Sequence, residues 1–145
     1  MKKSYVIMMA LLLVSAVGFT GCSDDDEGGV SSSALLGEWQ STYEYAYEVE
    51  GGETTPLEDG PYTDDEWTFY EDGTMYWYDN YYGDGIHCDW RVSGNKLYLT
   101  DYEDGEAYTD EYVIESLSSD EMVVSITERD GDYVLYDRIT FRRVE

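Results

Sequence analysis

Three groups of side chains in this 145-residue chain have the types and spacing to do chemistry. The first is aromatic. Tyr43, Tyr45 and Tyr47 alternate along one stretch, Met75 and Trp77 alternate with Tyr76 and Tyr78 along another, and Trp90 stands in a third. Rings two residues apart share one face of a strand. There they offer apolar area with a polar tip, suited to stacking on a sugar ring or a flat apolar molecule. Core packing plus an ordinary tyrosine-bearing surface produces the same stripes. The second group is acidic: Asp79, Asp84 and Asp89 near one loop, and Asp101, Glu103, Asp104 and Glu106 at another. Oxygen clusters suit calcium, but neither has the alternating Asp/Asn loop with a distant glutamate, and the Asp-Gly pairs are accounted for by turn chemistry.

The third group is His87 and Cys88. Alternation along a strand puts neighbours on opposite faces, so the two cannot act together, and one histidine and one thiol leave too few soft ligands for zinc. No Ser/His/Asp order is credible around the single histidine. Gly83-Asp84-Gly85 lacks both the pattern of a phosphate loop and a following helix. With thirty-three acids, some carboxylate pair always looks suited to glycoside hydrolysis, so that signal decides nothing. The expectation is a protein that binds rather than catalyses, with no catalytic residues, no metal and no cofactor.

The elements that must position these side chains are strands. From Leu35 onward alternating segments are separated by turn signals. Gly37 to Glu50 alternates, with Trp39, Tyr43, Tyr45 and Tyr47 on one face and Glu38, Gln40, Thr42, Glu44 and Glu48 on the other. Residues 51–61 read as a polar loop. Further strands follow at Trp67–Tyr70, Thr74–Asp79 and Ile86–Val92, then around Leu97, at Ala107–Glu115, around Met122, and from Tyr133. Glu71-Asp72-Gly73, Gly94-Asn95, Glu103-Asp104-Gly105, Ser118-Ser119-Asp120 and Asp130-Gly131 turn the chain between them. Eight strands joined mostly by tight turns, with no sustained helical period, predict an all-β, eight-stranded antiparallel up-and-down barrel. A two-sheet sandwich is the competing arrangement. Cys88 shares a strand face with Ile86 and Trp90 and reads as a buried apolar thiol.

The N-terminus reads differently. Lys2 and Lys3 precede an apolar run from Val6 to Val17, too short to span a bilayer as a finished helix. Phe19-Thr20-Gly21-Cys22 resembles a bacterial lipobox, with Phe19 where leucine is usual. The resemblance implies a cleaved signal peptide over 1–21, lipid on Cys22 and a flexible acidic and Ser/Gly tether over 22–33, ahead of a domain at 34–145. Ser23-Asp24-Asp25-Asp26-Glu27 is similar to the surface-export signals of some Gram-negative lipoproteins, which implies an outer-membrane lipoprotein facing outward. Cleavage leaves six bases against thirty-three acids. So acidic a surface repels phosphate backbones, which excludes nucleic acid as a partner, and repels anionic lipid heads, so membrane attachment falls to the acyl chains. With Cys22 lipidated, Cys88 has no cysteine to pair with.

The domain itself resembles lipocalins. Leu36-Gly37-Glu38-Trp39 is similar to their Gly-x-Trp opening. Trp67-x-Phe69 with Asp72-Gly73-Thr74 is similar to a hairpin of bacterial lipocalin-like lipoproteins, as is Trp90-x-Val92 with Gly94-Asn95-x-Leu97. Ile114-x-x-Leu117 with Asp120-x-Met122, and Thr140-Phe141-x-Arg143, resemble later segments. The resemblance implies that Trp39 packs beneath Arg143 or Arg142 and plugs one end of the barrel. It also implies a small apolar or sugar ligand held by Tyr43, Tyr45, Tyr47, Trp77 and Trp90 at an aromatic mouth. The domain is shorter than a typical lipocalin and has no helix after its last strand, so the cup is shallow. A protein-facing surface module with a filled barrel is the alternative.

Overall fold

The computed structural model describes residues 28–144, so Cys22, the leader and the start of the tether lie outside the described residues. Nine antiparallel strands follow a single 3-10 turn at Ser32–Ala34: β1 (Gly37–Glu50), β2 (Glu53–Pro61), β3 (Asp65–Phe69), β4 (Thr74–Asp79), β5 (Asp84–Ser93), β6 (Lys96–Glu103), β7 (Glu106–Leu117), β8 (Glu121–Asp130) and β9 (Tyr133–Arg143). From β3 to β9 each strand pairs with the next, and β9 returns to β1 from Trp39↔Arg143 to Val49↔Val134. The lower half of β1 pairs with β3, from Gly37↔Phe69 to Gln40↔Glu66. β1 and β3–β9 thus close an eight-stranded up-and-down barrel, and closure removes the unpaired edges of an open sheet.

β2 is an additional strand, and it corrects the expected loop at 51–61. It pairs with the upper half of β1, from Tyr43↔Pro61 to Glu50↔Glu53. Pro56 and Pro61 argue against a central strand but suit an edge strand, because a missing N–H costs nothing on the unpaired side. The long β1 supplies the template, and Glu53, Glu58 and Asp59 charge the edge.

The two ends of the barrel differ. At the closed end lie the turns at 70–73, 94–95 and 118–120 and the incoming 3-10 turn. Leu35, Trp39, Trp67, Met75, Leu97, Met122 and Phe141 are fully buried between this end and the middle of the barrel. Docking of the chain begins before the barrel, within the expected tether: Val30 packs against the core and its N–H donates to the Gly94 carbonyl at 2.8 Å. At the open end the ladders stop early. β5–β6 pairing ends at Asp89↔Thr100 and β7–β8 pairing at Val113↔Ser125. Above those pairs the β4–β5 and β6–β7 hairpins splay apart, and the mouth between them admits solvent.

A β-bulge in β1 decides what the mouth contains. The β1–β9 register shifts between Ser41 and Tyr43. One extra residue inverts the inward and outward faces beyond it. Trp39 and Ser41 point into the barrel below the bulge. Above it Ala46 is buried, while Tyr43 and Tyr45 are each 38% exposed.

Candidate binding site at the barrel mouth

The closed end is a clasp. The Arg143 guanidinium lies over the Trp39 ring, 4.1 Å from its centroid. Its three nitrogens donate to the Ser119, Leu36 and Ala34 carbonyls at 2.6, 2.5 and 2.7 Å. Last strand, β7–β8 turn and incoming chain are thereby tied together, with a cation–π contact worth about 0.5–2 kcal/mol. Trp39 Nε1 donates to Leu35 O at 2.8 Å. Gly37 has φ +108°, and a Cβ there would stand 3.0 Å from Arg143 Nη1. A side chain at 37 would thus be strained by the backbone and would crowd the arginine. Arg142, the other candidate for this contact, is exposed.

The open end carries a cavity of about 330 Å³, lined by Trp77, Asp79, Tyr82, Asp84, Gly85 and Ile86. β4 and β5 build it. The pairs Trp77↔Ile86 and Asp79↔Asp84 lie side by side in the β4–β5 ladder, so an apolar floor meets an acidic rim. Asp79 Oδ1 accepts from the Tyr81 and Tyr82 N–H groups at 2.8 and 3.0 Å, which fixes the turn that holds Tyr82 beside the cavity. Tyr82 is 78% exposed and meets Tyr81 edge-on.

Beneath the floor the interior becomes polar. Trp77 Nε1 donates to Asp65 Oδ1 at 2.8 Å, and the Asp65 N–H donates to Ser41 Oγ at 3.0 Å. Asp65 is only 2% exposed, and burial pushes its carboxyl up to about 6; the hydrogen bonds from Trp77 and Tyr62 work against this, and the charges of Asp79 and Asp137 add to it. Glu44 is pushed up to about 7, by burial first and then by Asp137, Glu58, Asp65 and Asp64. Burial also raises Asp137 and Asp110. Two polar atoms here are shielded from solvent and make no hydrogen bond among the described residues: Trp67 Nε1 and Asp137 Oδ1.

The residues expected at an aromatic mouth are divided. Trp77 lines the cavity. Tyr43, Tyr45 and Tyr47 do not, which corrects that expectation: the bulge turns them to the outer wall. Tyr43 there bonds Asp59, and Tyr47 stacks on Tyr136 with centroids 5.0 Å apart. Trp90 is also removed from the mouth. It lies in the lower barrel, where its Nε1 donates to Tyr70 O at 3.1 Å and its ring meets Phe69 edge-on at 5.2 Å. Cys88 is buried and its thiol is pushed up to about 11 by burial and then by Asp101, Asp110 and Asp89. A thiol held that high is no nucleophile near neutral pH. His87 is exposed and packs on Tyr76 at 4.8 Å. Among the described residues no three His, Cys, Asp or Glu side chains are grouped to hold a metal ion.

Glu44, Asp65 and Asp137, inward-facing acids of the upper barrel outside the cavity's lining, are what sequence reasoning missed; Asp65 touches the site through the hydrogen bond it accepts from Trp77. Asp65 sits in an Asp64-Asp65-Glu66 run that reads as surface. One signal was present: Ala46 is the apolar residue in the otherwise polar register of Glu44 and Glu48, where a barrel wall needs a small inward side chain.

An eight-stranded meander, plugged at one end by tryptophan and arginine and open at the other over a small apolar cavity, is the cup architecture of lipocalin-type barrels. The family model of the lipocalin-like domain matches residues 35–124, and the chain belongs to that family. Among solved structures it is similar to the crystal structure of bovine odorant binding protein complexed with its natural ligand, at 17% identity and a TM-score of 0.46, covering 83% of this chain and 78% of that one. No curated protein matches.

Proposed function

We propose that this chain is an outer-membrane lipoprotein, anchored by lipid on Cys22 and facing outward, that holds one small, mainly apolar molecule or glycan fragment in the mouth of its barrel. The observation that carries the binding role is the cavity of about 330 Å³ over Trp77 and Ile86. Its size lies at the lower end of the range for small-molecule sites, and its floor is apolar where the rest of the mouth is charged. The solid lower barrel limits a ligand to this upper cup. The anchoring role rests on the sequence alone: charged start, apolar run, Gly21-Cys22 and the acidic tract after it.

One experiment tests both. The full-length chain, expressed in a Gram-negative host and extracted gently from its membranes, is measured by native and then denaturing mass spectrometry. The expected result is a chain beginning at an acylated Cys22, with a non-covalent small molecule released on denaturation. An uncleaved leader sinks the anchor. Empty protein from every growth condition sinks the cargo and favours a protein-facing module, for which the outer-wall group of Tyr45, Tyr47 and Tyr136 supplies the surface.

A further inference from the structure

We infer that the barrel stands on its closed end: the plugged base faces the membrane that holds Cys22, the mouth opens away from it, and cargo enters from the surrounding medium and not from the anchoring bilayer. The inference rests on the proposed lipid anchor and adds the direction in which the cup points. Two independent observations carry it.

The first is where the incoming chain docks. A Cβ on Gly29 would stand 3.3 Å from the Gly94 Cα and carbonyl oxygen, so the backbone at residue 29 lies directly against the β5–β6 turn. The Val30 N–H donates to Gly94 O at 2.8 Å, and the Val30 side chain packs on the core. Leu35 is fully buried, and the Ala34 and Leu36 carbonyls accept from Arg143. Residues 29–36 therefore belong to the closed end, although their glycine and serines read as tether. Seven residue steps remain between Cys22 and Gly29, which reach at most about 25 Å when fully extended. β1 runs 14 residues, and at about 3.3 Å per residue and a tilt of about 40° the barrel wall stands about 35 Å high. The tether is shorter than the wall, so the mouth cannot turn down onto the lipid. A chain undocked from Cys22 to Gly37 would reach about 50 Å and would let it do so.

The second observation is the distribution of charge. A tether of that reach still lets the barrel lie on its side, and there electrostatics decides. The hairpin ends of the mouth at 79–84, 103–106 and 130–132 carry seven acids and no base. The closed-end turns at 70–73, 94–95 and 118–120 carry three acids, with Glu38 and Glu121 near them and Lys96, Arg142 and Arg143 to offset them. Within a Debye length of anionic lipid heads, about 8–10 Å, the mouth is repelled far more than the base. Upright, the barrel turns its nearly balanced end to the lipid and keeps its acidic end in the medium. A molecule bound for the cavity over Trp77 and Ile86 then has to cross water first.

The test uses the full-length lipidated chain in vesicles of phosphatidylcholine and phosphatidylglycerol that contain a nitroxide-headgroup lipid, a short-range quencher. A bimane label is placed by Glu71→Cys at the closed end or by Asp132→Cys at the mouth; Cys88, buried and with its thiol pushed up to about 11, stays unlabelled. The closed-end label is expected to be quenched about fivefold more than the mouth label, the two differing in height by about 35 Å. Gly29→Val with Val30→Asp, which undocks the incoming chain, is expected to bring that ratio to about one in high salt, where repulsion of the mouth is screened. Equal quenching in the docked protein, or stronger quenching at the mouth, overturns the orientation. Chains that do not float with the vesicles overturn the lipid anchor and the orientation with it. Uptake of N-pentyldansylamide, a neutral fluorescent probe of the cup, from vesicles bearing the unlabelled protein is expected at a rate unchanged when protein density is raised, because the probe travels through water. A rate that climbs with density overturns the route from the medium. No uptake overturns the binding role, while the labels still decide the orientation.

Discussion

The closed and open ends of this barrel solve opposite problems with the same strands. At the closed end the inward positions are apolar apart from the buried, unpartnered Trp67 indole N–H, and Arg143 satisfies three backbone oxygens while covering Trp39. At the open end the inward positions above Trp67 and Ser41 include Glu44, Asp65 and Asp137, the ladders stop, and Asp137 Oδ1 is buried without a hydrogen-bond partner among the described residues. Stability is concentrated where nothing can bind. Unsatisfied polar chemistry, costly to stability, is concentrated where something can.

The sharpest way to break this contrast is to remove the plug. Trp39→Ala deletes a fully buried ring, the stacking surface of Arg143 and the donor to Leu35. A loss of about 3–5 kcal/mol is expected in urea denaturation of the purified domain. A loss under about 1 kcal/mol refutes the clasp as the main anchor of the closed end.

The second contrast is electrostatic and belongs to the open end. Glu44 and Asp65 titrate at about 7 and about 6 in the folded barrel, above their ordinary values of 4.5 and 3.8. Raised carboxyl values mean that the folded state holds more protons than the unfolded chain between about pH 4 and pH 7, so stability falls as pH rises through that window. Below it both states are protonated and no cost remains; above it the folded barrel bears the full cost of burying the two charges, with their repulsion by neighbouring acids added. Thermal melting is therefore expected at a higher temperature near pH 4.5 than near pH 7.5. Glu44→Gln and Asp65→Asn should flatten the slope, whereas Trp39→Ala should lower the curve at every pH without flattening it. A slope unchanged in both carboxyl variants would place the titrating groups elsewhere in this acidic protein.

The same two ends differ in how far the sequence reveals them. The closed end is legible because short-range rules act there. Gly73 and Gly94 take positive φ in the turns where a glycine was expected, and Gly37, Trp39 and Arg143 form a contact whose residue types are distinctive. Strand positions were legible for the same reason: alternation and turn residues are local. The open end was not. A bulge is one unpaired residue, and nothing in Ser41-Thr42-Tyr43 marks it, because tyrosine suits an inner or an outer wall equally. Beyond that point strict alternation assigned Tyr43, Tyr45 and Tyr47 to the interior and Glu44 to solvent, the reverse of what closure against β9 imposes. β2 was hidden by its prolines, which the unpaired edge tolerates. Asp65 looked like surface because an acid buried beneath an open mouth departs from the rule that interiors are apolar, and such departures gather at binding sites.

The smallest effects test the bulge directly. If the tyrosine stripe faces outward, Tyr47→Ala removes only its stacking on Tyr136 and its tilted contact with Tyr45, centroids 5.9 Å apart. The cost to stability is expected at about 0.5–1.5 kcal/mol. Affinity for N-pentyldansylamide should stay within twofold of the unaltered protein, about the precision of such a titration and under 0.5 kcal/mol. Trp77→Ala, which removes the floor of the cavity, should weaken that probe about tenfold. The inverse result, with Tyr47→Ala costing the probe its binding and Trp77→Ala sparing it, would mean that the stripe lines the interior after all. The register shift at Ser41 and Tyr43 would then be misplaced, and with it the inward position of Glu44, on which the acidic character of the mouth depends.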